Sequence, residues 1–272
     1  MFTIEQRDAL REHVLRVAEK DRRIVAGAAV GSLAVGDGDR HSDLDLTFAV
    51  ADDVRVVDVL HDWTRMLRDE LTAVQLVDLE REPTIYRVFL LPGALQFDLS
   101  LTPAARFRAA GPRFLLLFGK TAAGEFDTPR PPAAGSIFLS TPSIPHDIFG
   151  WGVVYALHAR ACIARRRVWQ AEHYVGAVRD HALSLACLRR ELPTAHARSY
   201  DDLPADTRAG FDGTHVGSLE PAQLRITLSK ATRALLQEGT MAGVSSADTV
   251  AQRLAELREP RLLLERDLGQ RA

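Results

Sequence analysis

Two apolar, strand-like segments, separated by a glycine-serine turn and a polar loop, constrain the fold of this chain more than any other feature. The first segment is the run 24–30, and Gly31-Ser32 follows it directly. The second begins at Asp43, has a further aspartate at Asp45, and continues as an apolar alternation. Because residues i and i+2 of a strand share a face, the two carboxylates point together while the residues between them point into a core. The pattern predicts two strands of one sheet, the second of which opens with paired carboxylates.

A third aspartate lies on another alternating segment, residues 95–101. The polar positions of this segment are Gln96, Asp98 and Ser100. If its strand pairs near the strand of Asp43, Asp98 joins the same polar surface. Three carboxylates at one sheet edge can hold two divalent cations roughly 3.5–4 Å apart, which activate an attacking oxygen and steady a leaving phosphate. The alternative is that these aspartates cap strand ends or face solvent, as we expect for Asp37 and Asp39 in the loop.

The Gly31-Ser32 turn adds a second chemical signal. We expect it to lead into a short helix, and a helix N-terminus offers unpaired N–H groups that suit phosphate. The hydroxyl of Ser32 adds a further donor. Carboxylates for a metal and a cradle for phosphate, so close in sequence, indicate nucleotide chemistry.

A resemblance to a known family depends on two short motifs and a later aspartate. The motifs are Gly31-Ser32 and Ser42-Asp43-Leu44-Asp45-Leu46, and the aspartate is Asp98. Across residues 24–101 the chain resembles the nucleotidyltransferase superfamily that includes DNA polymerase beta. The resemblance implies that Asp43, Asp45 and Asp98 are catalytic and hold Mg²⁺, with two ions expected. It also implies that Gly31, Ser32 and Ser42 contact ATP as the co-substrate, and that Asp98 acts as ligand, base or both.

A small catalytic domain followed by a helical domain is similar to the antibiotic nucleotidyltransferases that act on aminoglycosides and lincosamides. In those proteins the helical domain closes the nucleotide cleft and binds the acceptor. The resemblance makes Glu172 a fourth candidate catalytic residue, which orients or deprotonates the acceptor hydroxyl. The alternative is an ion pair of Glu172 with Arg179 or a neighbour. For Trp169 we expect interdomain packing, with a wall under an antibiotic ring as the alternative.

The order of apolar periodicities predicts an α+β fold: an N-terminal mixed-sheet nucleotidyltransferase domain followed by a C-terminal helical bundle. Residues 1–120 form the catalytic domain, 121–145 a proline-rich linker or crossing loop, and 146–272 the substrate-binding bundle. Helices are predicted at 4–19, 54–71, 103–110, 146–167, 168–190, 220–238 and 247–264, and strands at 24–30, 43–50, 73–79, 84–91 and 95–101. Residues 114–118 form an apolar segment of open type, and residues 200–217 are predicted as a loop.

Composition excludes several classes of protein. With 272 residues, of which 46% are hydrophobic, the chain is long enough for one large or two small globular domains. Its formal net charge is −2, and no basic run interleaved with aromatics occurs, which argues against a nucleic-acid partner. The first residues show no basic-then-apolar leader, and no apolar run reaches the ~20 residues of a membrane span. We expect no membrane association and a cytoplasmic location, where ATP and magnesium are available.

The sequence therefore predicts an ATP- and Mg²⁺-dependent nucleotidyltransferase. Its partners are a nucleoside triphosphate and a small hydroxylated acceptor, with an aminoglycoside or a lincosamide as candidates. One alternative is an AMPylating enzyme of toxin–antitoxin type that modifies a protein or tRNA, and another is a non-catalytic nucleotide-binding module. A HEPN-type ribonuclease, suggested by the spacing of Arg190 and His196, is disfavoured because Pro193 between them breaks the helix. The oligomeric state is left open.

Overall fold

Alternating apolar and polar residues build a six-stranded mixed sheet in the first part of the chain. A computed structural model describes residues 1–109, 113–122 and 144–258, and the chain divides into two compact units, Met1–Leu139 and Ser140–Ala272. The strands are β1 (Ile24–Val30), β2 (Leu44–Val50), β3 (Val74–Arg81), β4 (Thr84–Leu91), β5 (Leu95–Pro103) and β6 (Phe114–Phe118). Their order across the sheet is β3-β4-β5-β2-β1-β6. The pair β2–β5 is parallel and the other pairs are antiparallel.

Two helices, α1 (Ile4–Lys20) and α2 (Val56–Leu71), pack on the sheet. A capping box starts α1: the Thr3 side chain accepts from the Gln6 backbone, and the Gln6 side chain accepts from the Thr3 backbone. The apolar face of α2 buries Trp63, whose ring lies 5.3 Å from that of Phe48 on β2. This packing fixes the apolar side of β2 in the core, and therefore sets which side its aspartates take.

The second unit is helical, as the sequence predicted. Its helices are α3 (Pro145–Ala164), α4 (Val168–Leu188), α5 (Ala205–Ala209), α6 (Pro221–Met241), α7 (Ala247–Arg253) and α8 (Ala255–Arg258). Helices α3, α4 and α6 pack against one another. A Cβ at Gly152 of α3 would lie 2.6 Å from Leu235 of α6, so glycine lets these two helices approach closely. Together with the mixed sheet, this confirms the α+β class.

Three segments differ from or refine the sequence prediction, and two others lie partly outside the described residues. Residues 114–118, left open in type, form β6 against β1. The helix expected from residue 103 is only the 3₁₀ turn Ala104–Arg106, and residue 110 lies outside the described residues. The predicted loop at 200–217 contains α5, which begins directly after Pro204, a residue preorganised for a helix start. Most of the linker predicted at 121–145, and the end of the helix predicted to reach 264, lie outside the described residues.

None of the helices in residues 1–109, 113–122 and 144–258 combines the length and the apolar character that crossing a bilayer requires.

Candidate active site

Strand register brings the three aspartates of the first unit together. In the parallel pair β2–β5, Asp45 lies directly opposite Asp98. Their strand neighbours Leu44 and Leu99 are fully buried, so the aspartates project from the opposite face. Asp43 lies two residues before Asp45, at the entrance to β2, and shares its face. Each of the three offers a carboxylate oxygen, and these oxygens all lie within 4.8 Å of one another.

Burial and repulsion between carboxylates both disfavour the charged forms of Asp45 and Asp98. Desolvation, together with the charge of Asp43, raises the pKa of Asp98 to about 7, against a smaller opposing effect of the hydrogen bond from Gln96. Desolvation also raises the pKa of Asp45 well above its usual value, and Asp43 and Asp98 add to that shift. Three converging carboxylate oxygens fit a divalent cation, which prefers such hard donors.

Gln96 and Gly31 shape the cluster from two sides. The side-chain amide of Gln96 donates from Nε2 to both oxygens of Asp98, at 2.9 and 3.2 Å. Gly31 directly follows β1 and has a φ of +70°, and a Cβ there would clash with Oδ2 of Asp45. The glycine predicted at the phosphate turn therefore has a second reason to lack a side chain: it leaves room for a carboxylate of the cluster.

The loop before Asp43 is held by buried polar contacts. Nη1 of Arg7, on α1, donates to the main-chain oxygen of Asp39 at 2.6 Å. The hydroxyl of Ser42 donates to Oδ1 of Asp39 at 3.1 Å, and the Asp39 amide donates back to it at 3.0 Å. Ser42 is completely buried. These contacts give Ser42, which was predicted to contact nucleotide, a role in fixing the loop that delivers Asp43.

Ser32 lies where β1 leaves the sheet. The helix that follows is one 3₁₀ turn, Leu33–Val35, and it ends at Gly36, whose φ is +74°. The Ser32 side chain makes no capping hydrogen bond and is only half-buried. Its hydroxyl is therefore available to a ligand, although a single turn contributes little of the dipole that a longer helix would supply.

The helical unit holds the fourth predicted catalytic residue. Glu172 lies on α4, is half-buried, and forms no hydrogen bond or ion pair with any residue that the structure describes. The ion pair suggested for it is absent within that part of the chain, because Arg179 binds its neighbour Asp180 at 2.8 Å. Trp169 is 75% exposed.

The geometry gives no support to a ribonuclease site at Arg190 and His196. The Arg190 guanidinium donates to the main-chain oxygen of Ala186 and to the hydroxyl of Thr207. His196 is exposed in a separate 3₁₀ turn with a φ of +59°. The two side chains therefore do not share a helix face, as the proline between them predicted.

Two residues of the site had no assigned role at the level of sequence. Gln96 was visible only as a polar position on its strand, since its bond to Asp98 depends on side-chain geometry. Arg7 gave no signal, because one arginine in an amphipathic helix is typical of a solvated position. Its burial, at 3% exposure, appears only once the loop folds over α1.

No protein-family model matches the chain, and no curated protein sequence matches it. Among solved structures, the crystal structure of an aminoglycoside 6-adenyltransferase from Bacillus subtilis covers 92% of this chain and 99% of its own, at 9% sequence identity and a TM-score of 0.30. A likeness at that level shows nothing about the function of this chain.

Proposed function

We propose that this protein is an ATP- and Mg²⁺-dependent nucleotidyltransferase that transfers a nucleoside monophosphate to a hydroxyl of a small molecule. The single observation that carries the proposal is the convergence of Asp43, Asp45 and Asp98, whose carboxylate oxygens lie within 4.8 Å of one another. Such a cluster costs stability through repulsion, and a purely structural role would not require it. The same reasoning argues against a non-catalytic nucleotide-binding module.

In the reaction, the acceptor oxygen attacks the α-phosphorus, a new P–O bond forms, and the bond to pyrophosphate breaks. Bound Mg²⁺ would stabilise the charge that develops on the phosphate oxygens. Asp43 and Asp45, at the start of β2, would hold the cation. Asp98 would complete the ligand set or take the proton of the acceptor hydroxyl and release it to solvent. Most of the rate would come from positioning and charge stabilisation, because no covalent intermediate is needed.

The triphosphate would lie at the end of β1. The backbone N–H groups after Gly31 and the hydroxyl of Ser32 would contact its β- and γ-phosphates. Support comes from the uncapped Ser32 side chain and from its place next to Gly31, which itself lies against Asp45. Ser42 would act indirectly, by holding the loop that leads to Asp43.

For Glu172 we propose contact with the acceptor hydroxyl. Its support is that the carboxylate is half-buried and has no partner among the described residues. The Glu172→Gln variant separates this role from that of Asp98: it should lower transfer to the acceptor and leave Mn²⁺ binding unchanged. Equal transfer by Glu172→Gln and the wild type would remove Glu172 from the mechanism.

We propose that the acceptor is a small hydroxylated molecule, with aminoglycosides and lincosamides as the first candidates. ATP labelled at the α-phosphate is incubated with Mg²⁺ and the full chain. Separate reactions contain an aminoglycoside, a lincosamide, a protein substrate or tRNA as the acceptor. We expect label on a small acceptor, and none with Asp45→Asn. Label on protein or tRNA alone would replace the small-molecule assignment. A wild-type protein that neither transfers label nor binds Mn²⁺ would overturn the proposal.

A further inference from the structure

Gln96 contacts Asp98, one of the three proposed metal ligands, but is not itself one of the three. It lies on β5 two residues before Asp98, on the same face, and is 4% exposed. Its Nε2 donates to Oδ1 of Asp98 at 2.9 Å and to Oδ2 at 3.2 Å. The Gln96 amide therefore contacts both oxygens of the Asp98 carboxylate. These contacts restrain the rotation of the carboxylate about its bond to Cβ.

The other end of the same amide is unsatisfied. Oε1 of Gln96 is buried and has no hydrogen-bond partner within the described residues. A buried acceptor without a partner is destabilising, and native proteins contain few of them. Turning the amide over would not help, because Oε1 would then face the oxygens of a charged Asp98. The orientation that serves Asp98 is thus the one that leaves Oε1 unpaired.

We infer that Gln96 is a positioning residue, which holds the Asp98 carboxylate in the rotation that a divalent cation requires. This inference rests on the proposed function and deepens it by naming what orients one of its three ligands. Groups that hydrogen-bond to a ligand are known to set ligand orientation and commonly change metal affinity by 10- to 100-fold when they are removed. While the Gln96 amide orients the Asp98 carboxylate in this way, its own Oε1 stays buried without a partner among the described residues.

The test compares stability and metal binding in Gln96→Met. Methionine keeps the length of the side chain, and removes both the donor to Asp98 and the unpaired acceptor. With EDTA present, we expect its Tm to lie within about 2 °C of the wild type or above it, since the lost hydrogen bond is offset by the lost unsatisfied oxygen. In a titration with Mn²⁺, we expect its affinity to fall by about tenfold or more.

Gln75→Met is the matched control. Gln75 on β3 also donates to an aspartate, from Nε2 to Oδ1 of Asp78 at 3.2 Å, but Asp78 is outside the cluster. Its variant should bind Mn²⁺ as the wild type does. Gln96→Leu serves as a second apolar variant, so that the comparison stands if methionine alone fails to fold.

Three results have distinct meanings. Wild-type Mn²⁺ affinity in both folded Gln96 variants would overturn the positioning role and leave the proposed function intact. A loss of affinity that is matched by a large fall in Tm in both variants would assign Gln96 to the core and also overturn the inference. A wild-type protein that binds no Mn²⁺ would instead refute the proposed function.

Discussion

The guanidinium of Arg7 donates a 2.6 Å hydrogen bond from Nη1 to the main-chain oxygen of Asp39, and so ties helix α1 to the loop that delivers Asp43. Arg7 is 3% exposed, although it is a charged residue on a helix. A weaker contact of 3.5 Å reaches the main-chain oxygen of Ser42. One buried cation thus fixes both ends of the turn that precedes the first carboxylate of the site.

Arg7→Met should therefore lower both stability and metal affinity. The variant removes a hydrogen bond from a charged donor to the main-chain oxygen of Asp39, which costs about 1.5–3 kcal/mol in the free energy of unfolding. Mn²⁺ binding should weaken because the loop that positions Asp43 loses its contact with α1. Chemical denaturation and Mn²⁺ titration measure the two effects. Arg16→Met, an exposed position on the same helix, is the control and should change neither. Unchanged Mn²⁺ affinity in Arg7→Met would show that the loop holds Asp43 without this contact.

Gly31→Ala should damage the site more than Gly36→Ala does. Both glycines have positive φ, +70° and +74°, so alanine costs about 1–2 kcal/mol at either position. Only at Gly31 would the added Cβ also clash with Oδ2 of Asp45, whereas at Gly36 it meets nothing within 4 Å. We expect Mn²⁺ affinity to fall in Gly31→Ala alone. Equal losses of stability and equal Mn²⁺ binding in the two variants would contradict this account of the glycine.

Asp45→Asn should abolish nucleotidyl transfer and raise the stability of the metal-free protein. The variant keeps the shape of the side chain and removes one of three clustered charges. Tm at pH 8 in EDTA should rise, because repulsion is relieved where the carboxylates are most ionised. Asp37→Asn, in the exposed loop, is the control and should leave transfer and Tm unchanged. A lower Tm for Asp45→Asn would mean that the carboxylate makes stabilising contacts that outweigh the repulsion.

The metal-free protein should lose stability as pH rises from about 4 to about 7. The pKa of Asp98 is about 7 in the folded protein and about 4 in an unfolded chain, so within this window the folded state binds the extra proton. Stability falls with pH wherever the folded state binds more protons. Asp45, whose pKa is also raised, acts in the same direction. Tm in EDTA at pH 5 and pH 8 measures the effect, and Asp98→Asn should reduce the difference. An identical difference in wild type and variant would argue against the raised pKa.

Ser32→Ala should weaken ATP binding without changing stability. Removing one hydrogen bond to a charged phosphate costs about 2 kcal/mol, roughly thirtyfold in affinity. Stability should stay the same because the Ser32 side chain caps nothing. Ser42→Ala should behave in the opposite way, since its buried hydroxyl bonds to Asp39. Calorimetric titration with ATP and thermal unfolding separate the two serines. Wild-type ATP affinity in Ser32→Ala would remove Ser32 from the phosphate site.

The elements that sequence predicted well are those with local signals. The strand faces of Asp45 and Asp98 follow from i, i+2 alternation, and the helix predicted at 4–19 from its apolar periodicity is α1. Contacts that depend on three-dimensional packing could not be predicted in the same way. The burial of Arg7 requires a loop to fold over its helix, and no periodicity reports that.

Ser42 is a second residue whose contacts could not be predicted from the sequence. Its position next to Asp43 suggested a ligand-binding hydroxyl, but the hydroxyl is used within the turn, where Asp39 both donates to it and accepts from it. A short serine-containing loop can place that side chain inward or outward, and the sequence pattern does not distinguish the two.

The parallel register of Asp45 and Asp98 has a consequence for how the protein folds. The two strands are separated by α2, β3 and β4, so their pairing is a long-range contact that a folding chain makes slowly. Until β5 joins β2, only the two aspartates near the start of β2 are close together. A partly folded chain therefore lacks the complete ligand set, and a divalent cation that needs all three carboxylates stabilises only the finished sheet. Metal binding would thus act as a late, selective stabiliser of the native state, by an amount set by its concentration relative to its Kd.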